Sequence, residues 1–182
     1  AVMSEAGADF SKLNIVGSDG SGIAGLSDEV GKNKVNLGWE FYGWAIIKAM
    51  QDGYDLNYMP LADLDNRLDY YTPVIITNKK MIKKNSDTVK KFMEATKKGY
   101  EYAIDHPSKA AEILHEDALS DTDLKFLKES QKYLSSQYAK DADSWGVMKD
   151  SVWDNYTDFM YETGLISQKI DAKDQYTTEF VK

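Results

Sequence analysis

Residues 35–50, VNLGWEFYGWAIIKAM, decide how the first half of this chain reads. The segment 35–41 has the character of a strand, and 43–51 that of a helix closed by Gly53. A strand entering a helix places Trp39 and Phe41 on one face and Glu40 and Tyr42 on the other. Two tryptophans, a phenylalanine, a tyrosine and a carboxylate thus fall within Trp39 to Trp44. Flat rings beside an acceptor are what a flat, amine-bearing ligand needs. The same rings packed in a core are the other reading, since a satisfied core is the usual fate of aromatics.

Outward from this stretch the pattern alternates. Residues 13–16 form a strand candidate, followed by the Gly-rich turn GSDGSGIAG at 17–25 and a short helix to Gly31. Residues 56–59 are a third strand candidate, stopped by Pro60. The loop ADLDNRLD leads to Tyr70, Tyr71, Thr72 and Pro73, and then to a β-branched run at 74–77. Thr72 precedes a proline and is expected to be extended. Strands separated by helical patterns imply an α/β sheet with parallel pairs.

The chain changes character near Pro73, and residues 85–182 read as mostly helical. Asn85 or Ser86 caps a helix with Val89, Phe92, Met93, Thr96, Tyr100 and Ala103 on one face. His106 and Pro107 end it, and Pro107 suits the first turn of the next helix. Ser120 with Asp123 resembles a capping box ahead of Leu124, Leu127 and Leu134. The last long helix is expected to carry Trp145, Met148, Val152, Tyr156, Phe159 and Met160 on one side, with Gly164 past its end.

Composition narrows the function classes. The 182 residues are 42% hydrophobic, and no apolar run reaches the ~20 residues that span a bilayer. Basic residues number 22 against 30 acidic, a net charge of −8, which disfavours nucleic acid as a partner. The lysine pairs at 79–80, 83–84, 90–91 and 97–98 recur near helical spacing and read as a solvated face. With no cysteine there is no disulfide, thiolate zinc site or cysteine nucleophile. No signal peptide is visible, and the opening AVMSEAGADFSKLNIV reads as the tail of a helix and then a strand, the expectation for a piece of a longer protein.

Several apparent motifs weaken on inspection. Gly20, Gly22 and Gly25 match G-x-G-x-x-G, and Glu40 lies twenty residues past Gly20. Too few residues follow before the next strand for the usual crossover helix. A turn exposing backbone amides at a helix N-terminus is the simpler reading. His106 and His115, nine apart, face different sides of any helix and make a poor metal pair. No nucleophile elbow, phosphate loop or Ser-His-Asp arrangement occurs. No catalytic residue, cofactor or metal is expected.

Six phrases in order carry a resemblance: WEFYGW (39–44), DLNYMPL (55–61), LDYYTPVIITNKKMI (68–82), VKKFMEATKKGYEYAIDHPSKAAEIL (89–114), SQKYL (130–134) and WGVMKDSVWDNYTDFMYETGLI (145–166). Together they resemble the second half of the NMT1/THI5-like family, and within it the bacterial solute-binding proteins of ABC importers that capture a pyrimidine precursor of thiamine. The resemblance implies a type II periplasmic-binding-protein-like α/β fold, incomplete here, with a helix-rich C-terminal half. Residues 1–70 would be the latter part of the second α/β lobe. Residues 71–182 would supply a crossover strand and C-terminal helices of the first lobe. It also implies an aminopyrimidine ligand, an ABC permease as membrane partner, and an extracytoplasmic location, periplasmic or lipid-anchored.

On this resemblance the aromatic motif matches Trp39, Phe41, Tyr42 and Trp44, and Glu40 stands where relatives often carry an apolar residue. Glu40 then either accepts from an exocyclic amine or faces solvent. Tyr70 and Tyr71, near the crossover, either close over the ligand or stabilise the hinge. Other expectations stay open. The same scaffold takes riboflavin, a sulfonate or nitrate, and the eukaryotic branch of the family is a pyrimidine-synthesising enzyme that needs cysteine- and histidine-bearing motifs.

Overall fold

The computed structural model describes residues 2–15, 17, 37–140 and 142–181. The Gly-rich turn, the short helix to Gly31 and the start of the 35–41 strand candidate lie outside the described residues. In chain order the α-helices are α1 (Val2–Glu5), α2 (Ile47–Gln51), α3 (Leu61–Leu64), α4 (Lys79–Lys84), α5 (Ser86–Asp105), α6 (Pro107–Asp117), α7 (Leu124–Ser135), α8 (Asp150–Glu162) and α9 (Ala172–Gln175). Short 3₁₀ turns occupy Phe10–Lys12 and Asn66–Leu68, and a π-helical turn, Tyr42–Ile46, leads into α2.

The helix-rich second half matches the sequence reading, but the expected sheet does not appear among the described residues. Residues 13–15, 37–41, 56–59 and 74–77 form no ladder. A strand is stable only when a neighbour takes its backbone N–H and C=O groups, and local alternation supplies no neighbour. The apolar side chains meant for a sheet are accordingly open: Ile15 is 73% exposed, Leu37 66% and Ile76 87%. The 62–69 loop is also partly helical, because Asp65 caps the Asn66–Leu68 turn by accepting from the Arg67 N–H at 2.9 Å.

Two compact units divide the chain. The first is built from Ala1–Ala8, Met59–Glu101 and Ala139–Lys182. Here α9 packs on α8, and α8 lies against the Asn66–Leu68 turn. Arg67 ties that turn down, with Nη2 2.6 Å from Asp65 Oδ2, Nη1 3.0 Å from Glu162 Oε2, and the guanidinium 5.3 Å from the centre of the Phe159 ring. Hydrogen bonds from Arg67 hold the Asp65 carboxyl below the usual carboxylate range. Tyr176 donates to Asp150 Oδ1 at 2.6 Å, and Lys97 Nζ donates to the Val181 carbonyl at 3.0 Å, fastening the C-terminal segment.

Trp145 and Met148 precede α8 instead of riding on it, a correction to the expected long helix. Gly146, at φ +83°, breaks the run, and Val181 Cγ1 sits 3.0 Å from where a Cβ would stand. Gly164, at φ +74°, ends the helix as expected. α4 is an addition the sequence reading lacked. Asn78 caps it by accepting from the Met81 N–H at 2.8 Å. Lys79, Lys80, Lys83 and Lys84 are all exposed on it, the solvated face their spacing implies.

The second unit comprises the described residues of Asp9–Tyr58 and Tyr102–Tyr138. α6 and α7 pack along one another, and α2 with its π-turn lies against α7. Ile47, Ala111, Phe126 and Leu127 form the core, with Tyr42, Leu119 and Tyr133 packed on it. Pro107 opens α6 as expected. The cap of α7 is Asp123, whose carboxylate accepts from the N–H groups of Lys125 at 3.1 Å and Phe126 at 3.3 Å. An ion pair joins the helices, with Lys128 Nζ 2.7 Å from Glu112 Oε1, and Lys109 Nζ lies 2.6 Å from Glu112 Oε2.

Candidate functional site

The site begins at Gly43. Ser130, buried on α7, donates its hydroxyl to the Gly43 carbonyl. A Cβ on Gly43 would stand 2.6 Å from Leu134 Cδ2 and 3.3 Å from Tyr133 Cδ1. A glycine lets the π-turn come this near to α7 without displacing the Leu134 side chain. The close approach brings Tyr42 against Tyr133, ring centres 4.5 Å apart and inclined at 45°. On its other side Tyr42 meets Tyr58, at 4.9 Å and 53°. Tilted pairs at these distances are favourable contacts. Burial raises the Tyr133 phenol above its ordinary value, with Tyr58 and Tyr42 adding to the shift.

Beside these rings is a depression of about 350 Å³ lined by Tyr42, Ile47, Met50, Gln51, Glu129 and Tyr133. Ligand sites usually run from ~300 to ~1,000 Å³, with apolar walls and a few polar groups. Besides the phenols of Tyr42 and Tyr133, the polar groups here are a pair, since Gln51 Nε2 donates to Glu129 Oε2 at 2.5 Å. Glu129 and Tyr133 are four residues apart on α7 and so share a face. A larger depression, about 440 Å³, is lined by α4 alone, through four lysines and Ile82. It is the outer surface of one helix and carries no ring, so the smaller one is the better candidate.

The six residues singled out from sequence are dispersed. Tyr42 lines the depression. Trp39 is 69% exposed and Glu40 half-buried, which keeps the alternation of faces read from the sequence although no ladder forms. Phe41 is extended, at φ −91° and ψ 124°. Trp44 is 46% exposed and meets the core edge-on, its ring 4.7 Å from Phe126. Tyr70 and Tyr71 belong to the other unit. Tyr70 stacks on Tyr156 at 4.3 Å and 18°, and Tyr71 lies 6.3 Å from Trp153 and accepts from the Lys149 N–H at 3.0 Å.

Tyr58, Tyr133, Gln51, Glu129 and Met50 were not singled out as site residues. Two of them stand inside the quoted phrases, Tyr58 in DLNYMPL and Tyr133 in SQKYL. Among the described residues no group of three or more histidines, aspartates and glutamates could hold a metal ion, and no helix is long and apolar enough to cross a membrane. His106 is stacked on Tyr102 at 4.7 Å.

A helical unit carrying a ring-lined depression with an acceptor–donor pair at its edge suits a small planar ligand, and comparison with known proteins bears on the class. The NMT1/THI5-like family matches residues 1–110, and the chain belongs to that family. It is also similar to riboflavin-binding protein RibY of Chloroflexus aurantiacus, 27% identical over 152 residues. That alignment covers 76% of this chain and 41% of RibY, so the chain spans about two fifths of the length of this relative.

Proposed function

We propose that this chain is part of the solute-binding component of an ABC importer, and that it captures an aminopyrimidine precursor of thiamine. In this reading the protein has a type II periplasmic-binding-protein-like fold. Residues 1–70 belong to the second lobe, and 71–182 return to the first. The protein works outside the cytoplasm and presents its loaded, closed form to a membrane permease. Closure follows only if ligand binds the closed form better than the open one. The observation that carries the reading is the pair of rings Tyr42 and Tyr133 lining the depression, with Tyr58 against Tyr42, in a chain of the NMT1/THI5-like family.

Trp39, Glu40 and Trp44 are further ligand-binding residues in this reading, and the exposed Trp39 ring is available for stacking. The rings of Tyr70 and Tyr71 are engaged by Tyr156 and Trp153, which favours the hinge-stabilising role for them. Capture requires no chemistry.

Calorimetric titration of the intact protein with the aminopyrimidine, thiamine, riboflavin and taurine tests the reading, repeated with Trp39→Ala and Tyr42→Ala. Tight binding confined to the aminopyrimidine, and weakened by both substitutions, is expected. Turnover to a pyrimidine product by the purified protein would instead favour the enzyme. A second reading, riboflavin as the ligand, is favoured by the likeness to RibY, and preferential binding of riboflavin in the same titration would establish it.

A further inference from the structure

The edge of the depression is built as a complementary pair. Glu129 offers carboxylate oxygens, which only accept, and Gln51 offers an amide whose N–H₂ donates. The two are joined by one hydrogen bond, Gln51 Nε2 donating to Glu129 Oε2 at 2.5 Å. Both side chains line the same depression as Tyr42 and Tyr133, so a ring held in it has the pair among its neighbours. The buried side of the depression is apolar, with Ile47 only 9% exposed, and makes no competing hydrogen bond through its side chain.

We propose that Glu129 and Gln51 read the edge of the ligand. An exocyclic amine or ring N–H of the heterocycle donates to Glu129, displacing the Gln51 amide, and Gln51 then donates to the adjacent ring nitrogen or carbonyl oxygen. The ligand class is therefore a flat nitrogen heterocycle with neighbouring donor and acceptor groups on one edge. Aminopyrimidines and the imide edge of an isoalloxazine share this chemistry. The proposal rests on the solute-binding reading and adds two specificity-determining residues to it. One internal hydrogen bond is exchanged for two to the ligand, one of them charge-assisted. A heterocycle without the donor leaves Glu129 with Gln51 and gains nothing at this edge.

The test uses the intact protein and three probes: 4-amino-5-hydroxymethyl-2-methylpyrimidine, the same pyrimidine lacking its amino group, and riboflavin. Each is titrated calorimetrically into wild type, Glu129→Gln and Glu129→Ala. Glu129 is solvent-exposed, so neither substitution disturbs packing, and equal thermal midpoints verify this. Both variants are expected to lose roughly tenfold or more in affinity for the donor-bearing probe that wild type prefers, with the des-amino pyrimidine changed by less than about twofold. Unchanged affinity for the preferred probe, or an equal loss for both pyrimidines, overturns the edge-reading role and leaves the solute-binding reading standing. A wild-type protein that binds none of the three overturns the solute-binding reading and this inference with it.

Discussion

Replacing Gly43 with alanine tests whether the close approach of the π-turn to α7 builds the site. The added methyl would stand 2.6 Å from Leu134 Cδ2, 3.0 Å from Leu134 Cγ and 3.3 Å from Tyr133 Cδ1. Carbon atoms pack comfortably at ~3.5–4.0 Å, so the leucine end must yield by about an ångström and the tyrosine ring must shift. Overpacking of this kind costs ~1–3 kcal/mol. Better helix propensity returns up to ~1 kcal/mol, which leaves a net loss of ~1 kcal/mol.

Gly99 supplies the control. It lies within α5, with nothing inside 4 Å of an added Cβ, so Gly99→Ala should gain ~0.5–1 kcal/mol. Urea denaturation of the intact protein reads both changes as shifts in midpoint at constant slope. One methyl should therefore act in opposite directions at the two glycines. Gly43→Ala stabilising the protein as Gly99→Ala does would refute the close-approach argument.

Two further outcomes concern pH. Lys109 and Lys128 hold the Glu112 carboxyl down to about 2 from an ordinary 4.5. Its contribution is present above the unfolded value and lost as pH falls through the folded one, so the inter-helix tie should survive to about pH 2, and a carboxyl-carbon NMR titration with a midpoint near 4.5 would contradict it. Burial, and then the hydrogen bond to Asp150, push the Tyr176 phenol up to about 12 from 10.0. Stability from this group is present below the unfolded value and lost as pH rises through the folded one. An ultraviolet titration should show a late-ionising tyrosine that Tyr176→Phe removes, and an unaltered curve would count against the assignment.

Much of the helical half was legible because its signals are local. Asn85 and Ser86 mark the start of α5, Pro107 the start of α6, and Gly164 the end of α8. Local signals also misled. Trp145 and Met148 keep helical spacing with Val152, but Gly146 at positive φ interrupts the backbone between them. The β-branched run at 74–77 has strand propensity, yet propensity supplies no neighbour to complete a ladder, and Ile76 stays 87% exposed. For the site, the aromatic cluster was visible from residue types alone. Which rings meet was not, and Trp39 and Tyr42, three positions apart, end in very different surroundings.

By itself the sequence determined the helical segments of the second half, the acidic character and the want of cysteine chemistry. These follow from residue type and from periodicity within a few turns. Only the tertiary structure decided that Tyr42 would rest between Tyr58 and Tyr133, and that Gln51 would meet Glu129, 78 positions away. Such meetings depend on how closely two helices approach, which here turns on the missing side chain of Gly43 and the hydroxyl of Ser130. No periodic pattern along the chain records that distance.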